Sequence, residues 1–452
     1  MKIQRLPRNH HATPAPTNYF HLQQLRNTSQ DVSRLKLCGG QFTSKLLERK
    51  WSLLNPDAQI HQVMISKKQI QNEGGSFNNI SFSNNTHPYL GDNMMKNNRQ
   101  HPSFYVVRDD LLHPLVNGNK ARKLDGLLPL IEDHSVTDVV SCGGCQSAHA
   151  AALAVSCAER GLRSHLLLRG EQPEILTGYN LISTIYGNVT YVPRSLYAKR
   201  EEMLMRHADM VAGSSGSVIS LSDIYEASFT ASPSGKLSFV QMGAHRRVEN
   251  CSKRIIIVNE GAGDAVGLLG VIRLVRYLSN NLILGKERPV NIVVDAGTGT
   301  TAVGLGLGVI CLGLPWKVTA VMLADTIDGY KQQEKRLISD FKRCSASHLI
   351  RQELNRVDGG IVHWVERRHP RKFGNVLEGE LEACQSIARQ TGVLVDPVYT
   401  LAAWELATLL SQEEAKDDTK VVMLHTGGTL CIFGLAQRYK SLFQKLEDGL
   451  PS

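Results

Sequence analysis

The chain has 452 residues, of which 42% are apolar, 21% charged and 6% aromatic. That composition fits a globular protein with two or three core-forming units and excludes a disulfide mini-protein, a collagen-like chain and a wholly disordered one. The formal charge of +9 is uneven, with 13 Lys/Arg against 5 Asp/Glu in residues 1–100 and a near-neutral remainder. A nucleic-acid binder keeps its basic surface on the folded part, so that class is not expected. The longest apolar run, 302–316, is broken by glycines and Pro315 and falls short of the roughly 18–20 residues of a membrane span.

Taken in chain order, the first acid is Asp31, preceded by Lys2, Arg5, Arg8 and Arg26, and the first serine is Ser29. An acid-free, arginine-bearing start reads as a transit peptide, assigned to residues 1–45. The low serine content favours mitochondrion over plastid, with a cytoplasmic chain carrying an ordinary tail as the alternative. Residues 71–99 are asparagine-rich without helical or strand period and predict a surface insertion. From Phe104 onward, short β-branched runs at 138–140, 165–168, 255–258, 291–294, 318–323, 392–395 and 421–424 alternate with helical patterns. The alternation predicts an α/β fold with a mainly parallel sheet. Ser/Gly-rich text over 212–252 predicts a loop-rich insertion.

Nine cysteines, an odd number scattered from Cys38 to Cys431, fit reduced thiols. Cys142 and Cys145 form a C-x-x-C without the second pair that a zinc ribbon needs, so no metal is expected. Two small residues beside a tight turn is the preferred reading, and a redox pair the other.

Five segments could carry chemistry. In Asn117-Gly118-Asn119-Lys120-Ala121-Arg122-Lys123-Leu124, helical spacing of Leu124, Leu127, Leu128 and Ile131 makes Asn119 the expected N-cap. Lys120 then sits at the positive helix end beside Arg122 and Lys123, influences that favour a neutral, nucleophilic amine. In the second, 139–149, a strand enters a Gly143-Gly144 turn and a helix at Gln146, Ser147, Ala148 and His149, where free backbone N–H groups accept a carboxylate or phosphate. Ser147 could serve as base or nucleophile with His149 as partner, or merely as the N-cap. In the third, a strand at 291–294 runs through Asp295 and Ala296 into Gly297-Thr298-Gly299-Thr300-Thr301-Ala302, a loop suited to an anion. It also matches the dinucleotide fingerprint G-x-G-x-x-A, although the nearest candidate for a ribose-binding acid, Asp325, is farther on than the usual spacing. The fourth and fifth, Asp396-Pro397-Val398-Tyr399-Thr400 and His425-Thr426-Gly427-Gly428, both fall at expected strand ends, where parallel sheets bind ligands.

In this order, over roughly Tyr105 to Leu435, the segments resemble the pyridoxal-phosphate enzymes of the D-cysteine desulfhydrase / 1-aminocyclopropane-1-carboxylate deaminase family, in particular its plant mitochondrial desulfhydrase branch. The resemblance implies the tryptophan synthase β-like fold (fold type II), two open parallel-sheet subdomains flanking a cleft. The smaller is expected within 124–235 and the larger in 46–123 plus 236–452. It implies that Lys120 carries pyridoxal 5'-phosphate and that Gly297, Thr298, Gly299, Thr300 and Thr301 bind its phosphate. Ser147 and Tyr399 match active-site residues, with Gln146, Ser147 and His149 at the substrate carboxylate. Thr400 stands where the deaminase branch has a glutamate facing the pyridine nitrogen. A neutral hydroxyl there suits β-elimination of a thiolate better than ring opening. The implied reaction is D-cysteine to pyruvate, hydrogen sulfide and ammonia, by a homodimer acting on a small amino acid. Ala148 replaces a family asparagine, Phe373 a second tyrosine, and Leu401 and Ala402 a Gly-Lys pair. These departures leave open deaminase-type activity and cofactor binding with little catalysis; the G-x-G-x-x-A match leaves open an NAD-dependent oxidoreductase.

Overall fold

The structure, a computed structural model, describes residues 43–44, 46–67, 80–94, 102–222, 224–225, 252–344, 354–355, 360–413 and 418–448. The expected transit segment, apart from Thr43 and Ser44, lies outside them, as do 71–79 and 95–99 of the asparagine-rich stretch and all of 226–251.

Twelve strands among the described residues build two sheets. They are β1 (Ile60–Lys67), β2 (Ile80–Asn85), β3 (Ser103–Val107), β4 (Asp138–Gly144), β5 (Arg163–Arg169), β6 (Asn188–Val192), β7 (Ser217–Ile219), β8 (Arg254–Ile257), β9 (Val290–Ala296), β10 (Trp316–Met322), β11 (His363–Glu366) and β12 (Lys420–Leu424). The larger sheet has the order β11-β10-β9-β12-β3-β1-β2 and the smaller β6-β5-β4-β8-β7. Every pairing in the smaller sheet is parallel. In the larger, β11 through β3 pair in parallel and β1 and β2 close the edge antiparallel. A parallel strand covered on both faces reads as continuous apolar text, and β9, Val-Asn-Ile-Val-Val-Asp-Ala, is buried at all seven positions.

Four expectations need correction. The asparagine-rich stretch contains β2, in which Ile80 and Phe82 alternate with Ser81 and Ser83, and Phe82 pairs with Ile65 of β1. The ladder to β1 overrides the poor strand propensity of asparagine, because packing decides strand stability. The 212–252 stretch likewise contributes a strand, β7. Residues 392–395 form no strand: Gly392, at φ 68, ends the Glu380–Thr391 helix, and an extended segment then buries Val393 and Val395 beside Trp404 without joining a ladder. The smaller sheet also reaches past the span expected for it, since β8 pairs with β4 through Asp138 opposite Ile255.

Small residues set the helix layer behind β9. The Thr300–Leu312 helix presents Gly304 and Gly308 to Val271 and Val275 of the Ala265–Leu278 helix. A Cβ on either glycine would stand 2.8 Å or less from a valine carbon, so only glycine allows this approach. The second core lies on the other face of the larger sheet, where Phe82 and Phe104 meet Trp404 edge-on at 5.4 and 5.1 Å. Among the described residues no helix is long and apolar enough to cross a membrane.

Candidate active site

The carboxyl ends of β3, β9 and β12 lie side by side in the larger sheet, and the turns that follow them carry most of the predicted residues. After β3 the chain passes Asp109 and Asn117 into the Gly118–Asp133 helix. Asn117, not Asn119, is the N-cap, and its side chain makes no capping bond to the helix. The Asn117 amide oxygen instead accepts the Tyr179 hydroxyl at 2.5 Å. Lys120 therefore lies inside the first turn, where the N-terminal field of the helix remains strong. Its amine is held below the ordinary lysine value chiefly by burial, opposed by a hydrogen bond with Lys123 and by Asp295 and Glu260. Arg122 does not act on it as expected: its guanidinium is paired with buried Asp109 at 3.0 and 2.8 Å. Lys123 is the amine that contacts Lys120. It donates to the Gly261 carbonyl at 2.9 Å, and burial together with Lys120 pushes it well below the usual value.

The 297–301 turn follows β9. Gly299, at φ 78, caps the Thr300–Leu312 helix, a left-handed conformation that L side chains disfavour. The N–H groups of that first turn have no acceptor within the helix. Thr298 and Thr300 place their hydroxyls 3.1 Å apart, and Thr300 and Thr301 are buried. The turn is held from behind. The Tyr330 hydroxyl donates towards the Ala296 and Gly297 carbonyls and accepts from the amides of Leu323 and Ala324. Its ring stacks on Trp364 at 4.7 Å, and Trp364 in turn donates to Glu334. Above the turn, a Cβ on Gly297 would meet the Tyr399 ring at 3.4 Å, so the absence of a side chain keeps this face narrow but open.

Asp396 organises the next turn. Its carboxylate accepts the amides of Val398, Tyr399 and Thr400 and the Thr400 hydroxyl. Thr400 also accepts the Asp396 amide at 2.7 Å, so its one hydroxyl proton is committed to Asp396. Burial raises the Asp396 carboxyl and the hydrogen bonds oppose it. Gly428, after β12, packs directly on this carboxylate. Phe373 stands edge-on to Tyr399 at 5.5 Å, and burial pushes the Tyr399 phenol well up. Leu401 and Ala402 are buried in the Thr400–Glu413 helix, with Leu401 in the Trp404 core and not in the site.

The second segment belongs to the smaller sheet. Ser147 caps the Ala148–Ala158 helix by accepting the Ala150 amide at 3.2 Å. Gln146 commits its amide to the neighbouring Gly178–Tyr186 helix, donating to the Thr177 carbonyl at 2.9 Å, and lies between Gly178 and Gly434. His149, 2% exposed, meets Ser141 through Nε2 at 3.0 Å, and Ser141 donates to the Val258 carbonyl. Its Nδ1 has no partner. Burial first, then Lys120 and Lys123, hold the ring well below the ordinary histidine value, so this histidine and the two amines converge. Ala148 packs with Tyr179, Val398 and Cys431. Cys142 is buried, and burial pushes its thiol up to about 11; both it and Cys145 are free thiols.

The structure thus brings Lys120, the 297–301 turn, Tyr399, Thr400 and His149 to one region. Sequence reasoning did not single out Tyr179, Glu260, Asp295 or Lys123's contact with Gly261. Asp295 had a usable signal, a lone acid inside an apolar strand; Tyr179 had none, since its contact with Asn117 joins residues 62 apart.

The donor set fits pyridoxal phosphate. It offers a desolvated amine, a glycine/threonine helix start for a phosphate, and two buried polar atoms without partners, Asn119 Oδ1 and His149 Nδ1. Residues 93–427 match the family described as PALP, pyridoxal-phosphate dependent enzyme. The chain is 52% identical over 412 residues to an Oryza sativa subsp. japonica protein described as "Putative D-cysteine desulfhydrase 2, mitochondrial", covering 91% of this chain and 98% of that one. It is 24% identical over 351 residues to the Arabidopsis thaliana "Bifunctional D-cysteine desulfhydrase/1-aminocyclopropane-1-carboxylate deaminase, mitochondrial", covering 75% of each. A solved structure described as an ACC deaminase homologue shares the fold, with a TM-score of 0.55 at 21% identity over 75% of this chain and 89% of that one. The dinucleotide alternative for 297–302 falls with this match. Asp325, its ribose partner, is exposed and accepts the Thr326 amide.

Proposed function

The chain belongs to the pyridoxal-phosphate-dependent enzymes, and from that premise we propose that it removes sulfide from D-cysteine, giving pyruvate, hydrogen sulfide and ammonia with uptake of one water. The observation that carries the reading is that Lys120 and the 297–301 turn follow the carboxyl ends of β3 and β9, the two strands that flank β12, joined to 52% identity with a relative described as a D-cysteine desulfhydrase. Lys120 holds the cofactor, and the first-turn N–H groups and hydroxyls of Gly297, Thr298, Gly299, Thr300 and Thr301 hold its phosphate. When bound, pyridoxal phosphate supplies the electron sink beside Cα.

This chain's residues do the rest. The Ala148–Ala158 helix start, with Gln146, Ser147 and His149, receives the substrate carboxylate. The Ala148 and His149 amides have no acceptor within the helix, while Gln146 acts by fixing the Gly178–Tyr186 helix. Lys120, whose amine burial holds below the ordinary lysine value, takes the Cα proton, or Ser147 does with the helix start behind it. Tyr399 closes the face above Gly297. Thr400, with its proton on Asp396, offers the ring nitrogen no carboxylate, which supports elimination of a good leaving group over ring opening.

The same reading makes the enzyme mitochondrial, with residues 1–45 as its transit segment, and a homodimer; the word mitochondrial in two relatives' descriptions supports the first part and the family resemblance the last. Sulfide release from D-cysteine against L-cysteine tests the reading. Preference for the D form supports it. A coloured protein that releases no sulfide from either contradicts it and points to cofactor binding without this reaction.

A further inference from the structure

Asp295 is a buried acid with no part in the scheme above. It is the sixth residue of β9, in the middle of the larger sheet, and is only 4% exposed. A carboxylate in an apolar strand is costly unless it serves a partner. Its Oδ1 accepts the Thr426 hydroxyl at 2.6 Å, and the Thr426 carbonyl accepts the amide of Asn119 at 3.2 Å. One residue therefore ties the acid to the turn that carries Lys120. The charged and titratable groups that bear on it come from each neighbouring segment: Lys120 and Lys123 from the Gly118–Asp133 helix, Asp396 from the turn before the Thr400–Glu413 helix, and Tyr399 beside it. Lys120 itself faces Lys123, Asp295, Glu260 and His149.

We propose that Asp295, aligned by Thr426, is the positioning residue that supplies the counter-charge to Lys120, so that the amine can hold a proton despite its burial. The desolvated site pushes a proton off Lys120, and the hydrogen bond with Lys123, Asp295 and Glu260 oppose it. Glu260, 35% exposed at its side chain, is partly screened by water and lies 3.8 Å from Arg200, which leaves Asp295 as the buried opposing charge. A base that takes a proton from Cα has to keep it until the leaving group departs, and a fixed carboxylate nearby serves that need. The inference rests on Lys120 being the cofactor lysine.

The test is the pH titration of the bound cofactor's visible absorption in the full-length protein, without substrate. Asp295→Asn keeps the size and removes the charge. The midpoint is expected to move down by about one unit, the effect of losing an opposite charge at close range. Thr426→Val, which keeps the carboxylate but removes its hydrogen bond, moves it the same way by less. An unchanged midpoint in a coloured Asp295→Asn protein overturns the proposal. If that variant holds no cofactor, trace acetylation of Lys120 against pH, read by peptide mass, replaces the absorption. About tenfold faster labelling below the wild-type midpoint is expected there, and wild-type labelling is the overturning result. If Asp295→Asn does not fold, Thr426→Val decides by the same criterion. None of these readouts uses sulfide release, so failure of the D-cysteine reading leaves the test standing.

Discussion

Gly428→Ala tests whether Asp396 is as rigid as its hydrogen bonds imply. Gly428 has φ 114, and a Cβ there would lie 2.2 Å from Asp396 Oδ2, roughly an ångström inside contact distance. The carboxylate cannot withdraw freely, because Oδ2 accepts the Thr400 amide at 3.2 Å and the Thr400 hydroxyl at 2.8 Å, while Oδ1 accepts Val398 and Tyr399 at 2.9 and 2.8 Å. Breaking the two Thr400 bonds costs about 3–6 kcal/mol at the strength of bonds to a charged group. Backbone strain adds about 1–2 kcal/mol. The expected total of about 4–8 kcal/mol is comparable to the whole stability of many domains. Gly392→Ala is the control: its φ is 68 and nothing lies within 4 Å of the added carbon, so it carries the strain alone, about 1–2 kcal/mol. Urea unfolding followed by the fluorescence of buried Trp404 measures both variants. If Gly428→Ala costs no more than Gly392→Ala, Asp396 is not the fixed centre of this turn.

Lys120→Ala is expected to abolish both the bound cofactor's visible band and sulfide release, as read by absorption and sulfide trapping. Ser147→Ala removes an N-cap and should cost about 1 kcal/mol in urea unfolding; a kcat loss of tenfold or more beyond that, in folded protein, identifies Ser147 as a proton carrier. Tyr330→Phe strips the hydroxyl from buried backbone groups behind the 297–301 turn and should destabilise the protein by about 1–3 kcal/mol per orphaned group, with weaker cofactor retention on dialysis. Burial raises Asp295 to about 6, above its unfolded value near 3.9. Its stabilising contribution is therefore complete below that unfolded value and lost as pH rises through the folded one. Across that window the wild type should lose about 3 kcal/mol relative to Asp295→Asn, read as converging or crossing urea midpoints; parallel midpoints contradict the raised value.

The parallel strands were legible because burial on both faces leaves continuous apolar runs, as in β9. The antiparallel edge was not. Ile80 and Phe82 alternate correctly, yet the asparagines around them mask a strand that exists through its pairing with β1. The helix start was displaced by two residues because Asn117, Gly118 and Asn119 are all acceptable caps, and Tyr179 draws the Asn117 side chain elsewhere. The 392–395 run has strand composition but closes no ladder, since the turn at Asp396 binds it to the following helix. Lys120 and the 297–301 turn could be read from residue type and order. The neighbours around them, Asp295, Tyr179 and Glu260, depend on contacts between segments far apart in the chain that local pattern does not encode.

Borohydride reduction of the coloured protein, followed by proteolysis and mass spectrometry, addresses the central claim most directly. Reduction fixes the cofactor to the lysine that carries it. The account predicts the added mass on Lys120; its appearance on Lys123 or on any other lysine contradicts it.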